Sequence, residues 1–227
     1  MGVEYEIIVR GNNLSTRNGS LGLANLTLVF TDHGPTLFDV GHYCNRGALL
    51  EGLMRYGLTT HDVKTVFLSH LHFDHCINID LFRDARVLTG KADWEYVLEP
   101  HPDDTFVPWL IREQLRKNEL ELLEGEGVLA PGVKYMPVPG HTPGCYALVL
   151  DCTDGKVVLA GDAIKIYSEV VTKRSSMPFG SEEDASASIS NILSLADRIV
   201  PGHFPELVRH GDSFVWEDPG ELDILIR

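Results

Sequence analysis

Alternating apolar and polar positions open the chain. Val3 to Arg10 alternates loosely, and Leu26, Leu28 and Phe30 alternate with Thr27 and Val29, so both stretches predict strands. A turn at His33-Gly34-Pro35 leads to a third strand, Thr36 to Val40, expected to pair with the second as a hairpin. Gly11 to Gly22, rich in Asn, Ser, Gly and Thr, predicts a loop. The period then changes: Leu49, Leu50, Leu53 and Met54 mark a helical stripe over Asn45 to Tyr56, with Gly57 as its stop. A strand at Lys64 to Leu68, a helix start at Asn78 to Phe82 and a short strand at Arg86 to Leu88 follow. Strand and helix alternate here, which predicts an α/β protein.

The second half repeats the mixture. Lys91 to Leu123 carries helical patches around Trp94 to Leu98 and Trp109 to Leu115, broken by Pro100, Pro102 and Pro108. Val133 to Val138, Tyr146 to Leu150 and Val157 to Leu159 predict strands, the last two joined by a tight turn at Asp154-Gly155. Ser181, with Asp184 three residues on, predicts the start of a helix whose apolar face is Ala185, Ile189, Ile192, Leu193 and Ala196. Arg198 to Val200 predicts a final strand. No repeat, linker or low-complexity segment interrupts residues 1–227, so one domain is expected.

The chemistry is concentrated where the strand at Lys64 to Leu68 ends. Ser69-His70-Leu71-His72-Phe73-Asp74-His75 puts three imidazoles and a carboxylate within six residues. A single histidine after a strand needs no ligand to explain it, but four such side chains in this space are costly to bury with nothing bound. Imidazole nitrogen and carboxylate oxygen are the donors that zinc, iron and manganese accept.

H-x-H-x-D-H after an apolar strand resembles the metallo-β-lactamase fold superfamily, and the family's further motifs follow in order. Leu37-Phe38-Asp39-Val40-Gly41 is similar to its first motif and Pro139-Gly140-His141-Thr142-Pro143-Gly144 to its third histidine loop. Ala160-Gly161-Asp162 is similar to its bridging aspartate, and Pro201-Gly202-His203 to its last histidine. The resemblance implies an αββα sandwich, two mixed sheets flanked by helices. It also implies two divalent ions, zinc before iron or manganese: His70, His72 and His141 on one, Asp74, His75 and His203 on the other, Asp162 bridging. A metal-bridging hydroxide would attack the substrate, with Asp74 as proton shuttle. By the same resemblance Asp39 orients a ligand imidazole, and Tyr167 donates to an oxyanion as a tyrosine does in the family's lactonases. The loop at Gly11 to Gly22 is expected to flank the cleft.

Other features narrow the choice. Acids outnumber bases 33 to 19, giving a net charge of −14, which counts against nonspecific binding to nucleic acid. Four scattered cysteines, Cys44, Cys76, Cys145 and Cys152, make no disulfide framework, and Cys76 and Cys145 are expected as small buried hydrophobes. The acidic start lacks a signal-peptide pattern and no apolar run could span a membrane, so a cytoplasmic protein is expected. Trp94, Phe106 and Trp109 could wall a substrate site or pack helices, and packing is the reading adopted. Their exposure would also suit a homodimer. Ser69 is expected to be structural, His42 a loop residue, and His33, His61, His101 and His210 surface residues.

Within the family, Asp162 departs from true metallo-β-lactamases, and His72 stands where flavodiiron proteins carry glutamate. The favoured expectation is a binuclear hydrolase of a small ester, lactone or thioester. A phosphodiesterase or ribonuclease of the same fold is the alternative, and a non-hydrolytic di-iron or redox protein the second.

Overall fold

The computed structural model describes residues 2–218. Six strands form the first sheet, in spatial order Glu4–Val9, Leu26–Thr31, Gly34–Phe38, Thr65–Phe67, Arg86–Gly90 and Glu119–Leu123. The first two pairings are antiparallel and the last three parallel. Seven strands form the second sheet, ordered Ser213–Val215, Leu207–His210, Arg198–Pro201, Gly155–Gly161, Tyr146–Cys152, Val133–Pro137 and Gly127–Ala130. Here only Gly155–Gly161 and Arg198–Pro201 run parallel.

Side-chain alternation divides each strand between two cores. Val29, Phe38, Phe67 and Leu88 of the first sheet meet Leu148, Leu150, Val157, Leu159 and Val200 of the second in a central core. The opposite face of the first sheet, with Leu28, Leu37 and Val66, is covered by Leu49 and Leu53 of helix Arg46–Arg55 and by Ile111 and Leu115. The opposite face of the second, with Ala147, Val149, Val158 and Ile199, is covered by Ile189 and Ile192 of helix Glu182–Leu195. Helix, sheet, sheet and helix thus stack in four layers, the expected αββα sandwich.

Local signals hold closely. Leu26–Thr31 and Gly34–Phe38 pair as the expected hairpin. The Ser181 hydroxyl caps its helix by accepting from the Asp184 N–H at 3.0 Å. Gly57, at φ 69°, ends the first helix in the left-handed region.

Four differences are physical rather than accidental. Ile77–Leu81 is a 3₁₀ turn, not a helix start, because Asn78 turns inward to donate to the carbonyls of Val40 and His42. Glu119–Leu123 is a strand at the sheet edge, where alternating Glu and Leu satisfy one solvent face. Short strands at Gly127–Ala130, Leu207–His210 and Ser213–Val215, the first and last of them at the sheet edges, carry too few residues to show a period. The aromatics of 91–123 also part company. Trp94 packs inside beneath the Arg112 guanidinium, 4.1 Å from its ring, whereas Trp109 is 91% exposed. Phe106 lies at the site described below, stacked on Phe73 of a short helix.

No helix among the described residues is long and apolar enough to cross a membrane. Cys76 and Cys145 are buried, as expected.

Phe67 is fully buried where the sheets meet, against Phe38, Tyr135 and Tyr146. Phe67→Ala should lower unfolding free energy by about 3–5 kcal/mol, read from denaturant melts; a change below 1 kcal/mol would mean the sheets do not pack through it.

Candidate metal centre

The sequence delivers its polar residues at strand ends. Thr65–Phe67, central in the first sheet, runs into Ser69 and His70. His72 stays extended and caps the short helix Phe73–Cys76, which turns Asp74 and His75 toward the same point. Asp162 follows Gly155–Gly161, His203 follows Arg198–Pro201, and His141 sits on the loop after Val133–Pro137. All seven of these side chains are buried, and they fall into three groups able to hold a metal ion: His70, His72 and His141; Asp74, His75 and His203; and His70, His75 and Asp162.

Asp162 lies between the first two groups. Its Oδ2 is 3.4 Å from His141 Nε2, while its Oδ1 is 3.4 Å from His75 Nε2 and 3.3 Å from His203 Nε2. Asp74 Oδ2 stands 3.1 Å from His203 Nε2, and His72 Nδ1 3.0 Å from His141 Nε2.

The outer ring nitrogens are all engaged. His70 Nδ1 is 3.0 Å from the Ser69 hydroxyl, His72 Nε2 2.9 Å from Asp104, and His75 Nδ1 2.7 Å from Asp39. His141 Nδ1 donates to the Met177 carbonyl at 2.8 Å and His203 Nδ1 to that of Asn12 at 2.9 Å. These contacts hold each ring in its orientation. The inner atoms are different: Nε2 of His70, His75 and His203, and Oδ1 of Asp162, are buried without a well-aligned hydrogen bond. Carboxylates approach two of those nitrogens closely, but as ion pairs rather than directed bonds. Orphaned, converging nitrogen and oxygen donors suit divalent zinc, iron or manganese.

Charge is divided unevenly. Burial drives His70 well below its usual pKa, reinforced by the imidazoles around it. Burial also takes His141 to about 3, against the pull of Asp162. For His75 and His203 burial is outweighed by the carboxylates, Asp74 and Asp39 for the first and Asp162 and Asp74 for the second; His203 rises to about 9. Without a cation, those two rings hold protons at neutral pH.

Asp39 stands behind the His75 ring. Its carboxylate accepts from His75 Nδ1, the Ser69 N–H and the Ser69 hydroxyl, and its backbone takes φ 59°, a conformation costly outside glycine. Ser69 is accordingly structural. Tyr167 is elsewhere. Its hydroxyl donates to the Phe214 carbonyl at 3.1 Å and its ring packs on Phe204 and Trp216, so the hydroxyl expected at an oxyanion is spent on the backbone.

A narrow cleft, with a cavity of only about 10 Å³, opens over the cluster. Phe73, Phe106 and Lys165 line it, with Asn13, Ser20 and Gly22 of the early loop, which flanks the cleft as expected. A larger cavity beside Tyr5, Arg10 and Glu206 reaches His203 alone of the seven, and the converging donors place the chemistry in the smaller one. Lys165 and Asp104 escaped sequence reasoning, and Phe106 stands at the cleft, the alternative to the packing reading adopted from the sequence. Lys165 sits three residues past Asp162, a spacing that could have flagged it.

The sequence profile of the metallo-beta-lactamase superfamily matches residues 19–203, a span that runs from this early loop to His203. The chain belongs to that superfamily. It is a metal-dependent hydrolase of that family. Metallo-beta-lactamase domain-containing protein 1 of Xenopus laevis is 30% identical over 210 residues, covering 88% of this chain and 78% of its own. An N-acyl homoserine lactonase of a Bacillus species is 28% identical over 60% of this chain, which spans 62% of the lactonase. In fold, the chain resembles AidC, a dizinc quorum-quenching lactonase, with TM-score 0.70 and 20% identity over 98% of this chain and 93% of that one.

A superfamily site of this kind is tightly packed. A Cβ on Gly202 would lie 1.9 Å from Asp162 Oδ1. Gly202→Ala should therefore displace Asp162 and reduce bound metal at least severalfold, by elemental analysis, in protein that still folds by circular dichroism. Undiminished metal would show that Asp162 can move freely. Metal uptake should also release protons. His75 and His203 must lose theirs to ligate, so affinity should rise with pH at least to the His203 value of about 9. Adding zinc to metal-free protein at pH 7 should release roughly two protons per chain in a weakly buffered titration; no release would mean both rings are already neutral.

Proposed function

We propose that this chain is a two-metal hydrolase of a small ester, lactone or thioester. The observation that carries the reading is Asp162, whose two oxygens face opposite ligand groups. In this assignment His70, His72 and His141 hold one ion, Asp74, His75 and His203 the other, and Asp162 both. The dizinc centre of AidC favours zinc, and the lactonase relatives favour an acyl substrate over a phosphodiester.

When bound, two such ions supply Lewis acidity toward the substrate carbonyl and a hydroxide nucleophile near neutral pH. The protein supplies the rest. Asp39 and Asp104 keep His75 and His72 turned inward and raise their basicity as ligands. Asp74, whose carboxyl the imidazoles His75 and His203 hold at about 2 against the effect of burial, faces the cleft as a carboxylate. There it can take the proton of the attacking water and return it to the leaving oxygen or sulfur. Phe73 and Phe106, ring centroids 6.1 Å apart, form an apolar wall that narrows water access to the reacting carbonyl.

Elemental analysis of protein purified without added metal, followed by assay on lactones, thioesters and a phosphodiester, tests this directly. Near two zinc or manganese per chain with acyl turnover is the expected result. Turnover of the phosphodiester alone would overturn the substrate class, and iron with no hydrolysis would move the reading to redox chemistry. Asp162→Ala should lose one of the two ions and at least about a hundredfold in kcat/KM; two ions with full turnover would remove its bridging role.

A further inference from the structure

Asp93 lies outside the ligand motifs, yet it sits between the two loops that carry three of the seven donors. It is 1% exposed, in the first turn of helix Lys91–Tyr96, directly after strand Arg86–Gly90. Its Oδ2 accepts at 2.7 Å from the Leu71 N–H, in the stretch of main chain that joins His70 to His72. The Thr142 hydroxyl and the Gly144 N–H, in the loop that follows His141, face the same carboxylate. Oδ1 is left without a well-aligned bond, so the Leu71 bond is the principal one.

Two glycines close the loops on each other at this point. A Cβ on Gly144 would lie 2.0 Å from the Asp93 nitrogen, and one on Gly90 would lie 2.2 Å from the Gly144 carbonyl oxygen. The His141 loop is thus pressed against the Asp93 main chain, while the Asp93 side chain holds the loop of His70 and His72. Those loops come from different sheets. Strand Thr65–Phe67 of the first leads to His70 and His72, and strand Val133–Pro137 of the second leads to His141.

An ion shared by the three imidazoles needs the two loops at a set distance. Ser69, Asp104 and the Met177 carbonyl each steady one ring of that group. Asp93 instead sets one loop against the other. A carboxylate is a costly residue to bury for packing alone, since an apolar side chain of its size would fill the same space without losing water. The second group is braced elsewhere, with His75 on Asp39 and His203 on the Asn12 carbonyl.

We propose that Asp93 is a positioning residue for one ion of the pair: it fixes the spacing between the His70–His72 loop and the His141 loop, and so sets the metal affinity of that group but not that of Asp74, His75 and His203. This inference rests on the two-metal reading above, and its test separates the two.

The test uses the full chain as wild type, Asp93→Ala and Asp93→Asn. Competition with a coloured chelator resolves successive zinc affinities without turnover, and denaturant melts of the metal-free proteins report folding. Asp93→Ala should weaken one step about tenfold to a hundredfold and leave the other within about twofold. Asp93→Asn keeps an oxygen for the Leu71 N–H and should recover most of the loss. In a His141→Ala background, where Asp74, His75 and His203 hold the remaining zinc, adding Asp93→Ala should change affinity by less than about twofold. Two unchanged steps in Asp93→Ala would overturn the proposal. So would equal weakening of both steps, or a tenfold loss that persists in the His141→Ala background, either of which would make Asp93 a general support of the fold. Should Asp93→Ala fail to fold, Thr142→Val removes one of the groups facing the carboxylate at nearly constant volume. It should weaken the same step severalfold, and an unchanged step there would count equally against the proposal. If wild type takes up a single zinc, the two-metal reading fails, and Asp93 is judged on that ion: a loss in Asp93→Ala restored by Asp93→Asn keeps its role, and no loss removes it.

Discussion

Seven polar side chains from two sheets can share one buried pocket only when their outer atoms are satisfied by protein and their inner atoms by a cation. That requirement governs the local structure around the cleft. Each imidazole has one nitrogen committed outward, to Asp39, Asp104, Ser69 or a main-chain carbonyl; the inner nitrogens of His70, His75 and His203 are left without a hydrogen-bond partner, and those of His72 and His141 bond only to each other. Burying the same groups without either arrangement would be prohibitive against the few kcal/mol that hold a domain together.

The sandwich makes the arrangement possible. Its central core fixes the distance between sheets, and the loops leaving the ends of Thr65–Phe67, Gly155–Gly161 and Arg198–Pro201 then converge within hydrogen-bonding range. Two local constraints lie there. Asp39 is held in a left-handed conformation by three hydrogen bonds to its carboxylate. Gly202 leaves no room for even a methyl group beside Asp162. Both belong to the same requirement, since each shapes the approach of one donor to the pocket.

Much of this is legible in the sequence because it is short-range. Strand periods, the Ser181 cap, the Leu26–Phe38 hairpin and the clustered ligand motifs depend on neighbours a few residues apart, and family resemblance joined the motifs into one site. What escaped depends on tertiary distance. Asp104 reaches His72 across 32 residues, and Asn12 accepts from His203 across 191. Nothing in the local pattern distinguishes either from an ordinary loop residue. Tyr167 failed for the converse reason: proximity to Asp162 in sequence suggested proximity in space, but helix Tyr167–Thr172 turns its ring toward Phe204 and Trp216. The aromatics of 91–123 show the same limit, because bulk alone does not say which ring faces the core and which the cleft.

The hydrogen bond from His203 to the Asn12 carbonyl ties the rim of the cleft to its floor. Asn13, Ser20 and Gly22, in the same loop, stand where an incoming molecule would first be met. A stretch that greets the visitor and steadies a ligand answers to two masters. Substitutions that reshape the rim are felt at His203. The opposite wall is tied in the same way: the Phe106 N–H donates to Asp104, whose other oxygen braces His72. Neither wall of the pocket changes without reaching a ligand.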